Sequence, residues 1–278
     1  MNPHAAARTS PAALARSVWS NRELIAAMVK REVVGRYRGS VMGLLWSLLT
    51  PLLMLVVYTF VFSVVLKARW SGGPAAGDGH GQFAILLFSG LIVHGLFAEV
   101  VNRAPTLVIG NANYVKRVVF PLEVLPVITA GAALFHAAVS FLVLLGGVLV
   151  ATGSIPWTAI FFPLVVAPLL LLTLGVAWFL ASLGVYMRDV GQVVGLLTTV
   201  LLFLSPVFFP ISAVPEAFRP WMHVNPLTFV IEQARAVMVF GQRPDLQGWA
   251  LYSVGACVFA WIGYAWFQKT RKGFADVL

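Results

Sequence analysis

Long apolar stretches alternate with short charged ones along this chain, at a spacing that predicts helices crossing a bilayer. Four of them, 44–66, 83–101, 124–151 and 155–186, are each close to or above the roughly 20 residues that a membrane-crossing helix needs. A fifth starts after Asp189 and runs only 15 residues, 191–205, before Pro206 stops it. The last spans 249–267. Ahead of the first span, Leu24, Ile25, Met28 and Val29 recur at helical spacing while Arg22, Glu23, Lys30 and Arg31 take other faces. Glu32 and Arg36 stand one turn apart and are expected to pair. That pattern predicts an amphipathic helix within 1–43 lying in the membrane interface, with Trp19 as an anchor.

The segment 206–247 fits neither a loop nor a span. It is too apolar for the first, and Pro206, Pro210, Pro215, Pro220 and Pro226 break it too often for the second. Irregular backbone at membrane depth survives only where protein or a water-filled cavity shields it, so short re-entrant helices entering from one face are expected. A hydrophobic cap folded on the outside is the alternative.

Composition agrees with the pattern. Of 278 residues 60% are hydrophobic and 10% charged, against about half apolar and a quarter charged in soluble domains. The chain reads as an all-α integral membrane protein of six spans, with a permease region 44–267 and a short tail 268–278. The single cysteine, Cys257, excludes an intrachain disulfide and is expected to be a small buried hydrophobe.

The net charge of +9 follows topology and needs no nucleic-acid partner. With the N-terminus inside, fourteen Lys and Arg fall on the cytoplasmic side and five, Lys67, Arg69, Arg219, Arg235 and Arg243, on the other. Both termini and the charged segment 111–126 are then cytoplasmic. Residues 67–82 form an external loop, and no cleavable leader is visible in 1–43.

Enzyme chemistry finds no footing. His4, His80, His94, His136 and His223 are scattered, and no pattern of metal ligands joins them. The glycine-rich GDGHG at 77–81 lacks the GxxxxGK[ST] of a phosphate-binding loop, so any ATP must be bound by another chain. No internal repeat of the kind seen in secondary transporters is evident.

Four motifs in fixed order carry a family resemblance: RYRGSVMGLLWSLLTPLLMLVVYTFVF at 36–62, NANYVKRVVFPLEVLP at 111–126, MRDVGQVV at 187–194 and LSPVFFPISAVPEAFRPWMHVNPLTFVIEQAR at 204–235. Together they resemble the membrane subunits of ABC exporters for bacterial surface polysaccharides and teichoic acids, nearly end to end. The resemblance implies a homodimer of permeases in the inner membrane, joined by two cytoplasmic ATPase subunits that bind ATP and magnesium. It also implies a lipid-linked glycan as substrate, O-antigen type favoured, with capsular polysaccharide or teichoic acid as alternatives. A passive channel or a membrane-embedded glycan enzyme is the reading from a different class.

The same resemblance places the ATPase-coupling helix at Asn113, Lys116, Arg117, Phe120, Pro121 and Glu123. There the two bases supply charged contacts, Phe120 an apolar knob and Pro121 a stop. A basic loop that only holds topology is the plainer reading. Arg188 and Asp189 are expected to set helix ends on the cytoplasmic side, and Glu99 and Arg103, one turn apart, to pair with each other. Glu232 and Arg235 are expected to brace the re-entrant region. Pro206, Phe208, Phe209, Pro210 and Trp221 are expected to close the outer end. Tyr58, Phe62 and Phe203 are candidates for the substrate path, where ring faces can stack on sugars, although aromatic belts at lipid interfaces are equally expected.

Overall fold

The computed structural model describes residues 9–66, 70, 82–117 and 120–278, with the backbone alone for Lys116 and Arg117. The expected external loop 67–82, with Lys67, Arg69, His80 and the GDGHG run, lies almost wholly outside the described residues, as do His4 and Arg8.

Among the described residues every regular element is helical. The amphipathic N-terminal region forms two helices in place of one, α1 (Pro11–Ser20) and α2 (Arg22–Arg36). Ser10 caps α1 by accepting from the Ala13 amide, with Pro11 at the first helical position. The break falls at Asn21, whose backbone N–H and side-chain amide both donate to the Ser17 carbonyl, at 3.1 and 2.7 Å. The first span is α3 (Trp46–Tyr58), prolonged by a π-helical turn Thr59–Val65. The others follow as α4 (Gln82–Arg103), α5 (Ala112–Arg117), α6 (Val124–Thr152), α7 (Phe162–Tyr186) and α8 (Val190–Leu204). After α8 come α9 (Arg219–Val224), α10 (Pro226–Met238), α11 (Leu246–Thr270) and α12 (Phe274–Val277).

Among the described residues five helical stretches are long and apolar enough to cross a membrane, and α8 is a shorter apolar helix. Its end is set by chemistry readable in the sequence. Ser205 is extended (φ −99°, ψ 153°), as a residue before proline prefers to be, and Pro206 cannot supply the next amide.

α4 is the centre of the bundle, with 78% of its most apolar stretch buried. It packs against α6, α7, α8 and α10. The tightest pair is α7 with α11, where small residues let the backbones meet: a Cβ placed on Gly263 would lie 2.1 Å from the Gly175 carbonyl oxygen. A Cβ on Gly184 would lie 2.0 Å from the Pro105 carbonyl oxygen. α2 lies on α6, with Val29 seated over Gly131, whose Cβ would meet it at 2.7 Å.

α10 is the least expected element. Leu227, Val230, Ile231, Ala234, Val237 and Met238 are all fully covered. Ile231 and Val207 flank Gly90, eight residues into α4, a depth of about 12 Å at 1.5 Å per residue. The segment therefore runs alongside the start of α4. Cys257 corrects an expectation: it is exposed on α11. Apolar helices face lipid with the same residues they face each other with, so hydrophobicity alone does not say which side of a span is covered.

Candidate functional site

Polar groups gather at the end of the bundle where α4 finishes and α6 begins. α2 brings Glu32 and Arg36 against Glu99 and Arg103 of α4, and the pairing is crosswise. Arg36 bridges Glu99, and Arg103 bridges Glu32. The within-helix pairs Glu32 with Arg36 and Glu99 with Arg103 are thus replaced. The cause is docking: once α2 lies on the bundle each carboxylate loses water, and the cation on the facing helix offsets that cost. His136 of α6 joins through Nδ1, 3.0 Å from a Glu99 oxygen and 3.1 Å from the Arg36 guanidinium.

These residues line a cavity of about 620 Å³ with Asn102. A second cavity of about 340 Å³ shares Arg36, Glu99 and His136 and continues past Tyr37, Ser47, Thr50, Tyr58 and Ser140. The two make one furrow from α2 up along α3. Tyr58, a candidate for the substrate path, lines it. Burial pushes the Tyr37 hydroxyl upward, Arg36 opposing and Glu99 adding to the shift, which keeps the phenol neutral and able to donate.

The other two aromatic candidates sit elsewhere. Phe62 stacks on Phe83 with ring centres 5.2 Å apart. Phe203, exposed at the far end of α8, stacks on Phe208 at 5.5 Å.

The charged segment between α4 and α6 is folded differently from a free knob. Asn113 is exposed on α5. Phe120 is buried, stacked on Tyr114 with ring centres 4.5 Å apart and packed among Leu122, Leu125 and Trp178. Its ring does not project from the surface, because the turn at Pro121 folds it inward. Glu123 is also buried. One carboxylate oxygen accepts from the Ser17 hydroxyl of α1 at 2.8 Å, and the other pairs with Arg271 at 2.9 Å. Its backbone carbonyl accepts from the Trp178 indole of α7 at 2.9 Å. Arg271 reaches further and donates to the Phe120 carbonyl at 3.1 Å. Phe120 and Glu123 are therefore internal fastenings, correcting their expected place as contact residues.

Sequence reasoning missed Ser17, Trp178 and Arg271 here. Arg271 had entered only as one base among the cytoplasmic fourteen, and nothing local marks a residue 148 positions away as a partner.

Arg188 and Asp189 stand at the junction of α7 and α8, both exposed, and neither is in an ion pair among the described residues. His94 is buried and satisfied, its Nε2 lying 3.0 Å from the Thr198 carbonyl of α8.

At the opposite end the expected brace between Glu232 and Arg235 is present at 3.8 Å, but the larger role belongs to Arg235. Its side chain is 2% exposed. Nε donates to the Leu86 carbonyl at 3.1 Å and one Nη to the Val207 carbonyl at 2.9 Å, while the guanidinium lies 4.5 Å from the Trp70 ring centre. One cation thus ties α10 to the backbone just beyond Pro206 and to the start of α4. Pro206 is buried, and Phe208, Phe209 and Pro210 are half-buried. Trp221 is 74% exposed, so the expected packing of Trp221 with the two phenylalanines is not made within one chain.

Comparison with known proteins gives a consistent result. Residues 23–239 match the ABC-2 type transporter family. The chain is similar to the O-antigen export system permease protein RfbA of Myxococcus xanthus, 29% identical over 95% of this chain and 98% of that one. It is also similar to the polysialic acid transport protein KpsM of Escherichia coli, 24% identical over 89% and 93%. A third relative is the capsule polysaccharide export inner-membrane protein CtrC of Neisseria meningitidis, 27% identical over 77% and 78%.

Proposed function

Because the chain belongs to the ABC-2 type transporter family, we propose that it is the membrane-spanning permease of an ATP-driven exporter of surface polysaccharide, with an O-antigen type glycan favoured. The observation that carries this reading is the similarity to an O-antigen export permease across 95% of the chain. Capsular glycan is the second reading, on the similarity to the KpsM and CtrC proteins.

The arrangement of the chain fits this work. ATP is bound and hydrolysed, with magnesium, by two copies of a separate cytoplasmic ATPase docked at α5, where Asn113, Lys116 and Arg117 stand at the end of the bundle rich in bases. Both termini share that side, in the inner membrane of a bacterium. Two permeases form the complex. The first span, residues 43–65, supports this, since only 6% of its most apolar stretch is covered within one chain.

The glycan's lipid-linked end enters by the furrow that runs from Arg36 and Glu99 to Tyr58. Ring faces then let the sugar chain slide without fixing one residue in place. Pro206 to Pro210 and the re-entrant helices α9 and α10 close the other end until strain from the ATPase opens it.

The test is complementation. Produced with the ATPase encoded beside it in a strain lacking its own O-antigen permease, the chain should restore glycan to the cell surface. The ATPase with its catalytic base removed should not. Glycan held inside the cell in both cases, with passive ion conductance by the purified chain, would replace the exporter with a channel.

A further inference from the structure

The buried Glu123 joins its own turn to three parts of the protein that are far from it in sequence. It takes a hydroxyl hydrogen bond from Ser17 in α1, an ion pair from Arg271 at the end of α11, and, on its carbonyl, the Trp178 indole of α7. Arg271 closes the circuit by donating to the Phe120 carbonyl three residues earlier, so its guanidinium spans residues 120–123 at the entry to α6. The far side of that turn is packed as firmly. Phe274 of α12 is fully buried, set edge-on against Phe267 at 5.4 Å and tilted against Tyr186 at 6.1 Å. The Tyr186 hydroxyl donates to the Thr270 carbonyl at 3.0 Å.

A charge pair at this depth cannot slide. The Glu123 side chain is 9% exposed and that of Arg271 33%, so pulling them apart strands a carboxylate away from water. Displacement of the 112–123 segment must then carry α1 and the end of α11 with it, or break the pair.

We propose that Glu123 and Arg271 are positioning residues for transport: a clasp that passes movement of the α5 segment at once to the interface helix α1 and to the last span. Neither residue touches the ATPase or the glycan. The proposal rests on reading the α5 segment as the ATPase-facing element, and it makes the C-terminal tail 268–278 part of the transmission.

The test uses the complete transporter, with export to the cell surface and ATP hydrolysis by the purified complex measured side by side. Glu123→Arg and Arg271→Glu should each keep the ATPase bound and hydrolysing, while glycan exported per ATP falls about ten-fold, the size of an ordinary coupling free energy between sites. The double variant E123R/R271E should recover at least half of the wild-type ratio. Arg271→Lys, which keeps the pair with Glu123 but cannot fork to the Phe120 carbonyl, should fall between wild type and Arg271→Gln. If the reversed charges prevent assembly, that Lys and Gln series carries the test alone. Wild-type ratios in both Arg271→Lys and Arg271→Gln, or an assembled double variant no better than the singles, would overturn the clasp. A wild-type complex that recruits no ATPase and exports nothing would overturn the function itself, which keeps the two failures apart.

Discussion

Arg36 lies against Glu99 on the neighbouring helix, while Glu32, one turn earlier in its own helix, is taken by Arg103. The exchange converts two within-helix pairs into a double tie between α2 and α4. The furrow that begins between these residues therefore has a wall fastened at two points.

A double-mutant cycle measures the tie. Arg36→Ala and Glu99→Ala should couple by about 0.5–1 kcal/mol in thermal unfolding of the detergent-solubilised chain, a modest figure because the Arg36 side chain is 53% exposed. The cycle between Glu99 and Arg103 should give close to zero. A larger coupling in the second cycle would return the carboxylate to its own helix.

Two glycines of α11 should respond with opposite signs to the same change. Gly263→Ala drives a methyl group into the α7 backbone and should destabilise by about 2 kcal/mol or more. Gly255→Ala meets nothing within 4 Å and should gain up to about 1 kcal/mol from helix propensity. Unfolding temperatures of the two variants, purified together, decide the matter.

Arg235→Met removes the cation that holds the Val207 carbonyl. With that acceptor buried and unpaired, the variant should lose about 1–3 kcal/mol. Arg235→Lys should recover only part, since one ammonium cannot reach the Leu86 and Val207 carbonyls in a fixed fork. Protection of the 206–215 amides from hydrogen exchange should fall in both.

Phe120→Ala and Asn113→Ala should separate stability from partner capture. The first empties a stacked, buried site and should cost about 3–5 kcal/mol in the permease alone. The second changes an exposed side chain, should leave the melting temperature in place, and should weaken co-purification of the ATPase. Loss of the ATPase in a fully stable Phe120→Ala protein would put the ring back at the surface.

Much of the fold was legible because a membrane simplifies the code. Each long apolar run is a helix, and α8 begins one residue before its expected start and ends one before its expected end, because proline chemistry is local. Partner choice was not legible. Glu32, Glu99, Glu123 and Arg235 all found partners on other elements, and local spacing carries no information about which helices will be neighbours. The burial of Phe120 and the exposure of Cys257 escaped for the related reason that an apolar surround can be protein or lipid. The irregularity of 206–247 was visible as a contradiction between hydrophobicity and proline content, while the course of α10 beside α4 needed three dimensions.

α8 has 15 residues, so its axis covers about 22 Å, against roughly 30 Å of hydrocarbon. Beyond it the chain is extended at Ser205 and Pro210, and the backbone groups that α8 leaves free are met by protein: the Leu204 carbonyl accepts from Asn225 and the Val207 carbonyl from Arg235. Where α8 falls short by about a quarter, the thickness is made up by chain that Arg235 of α10 ties to the start of α4.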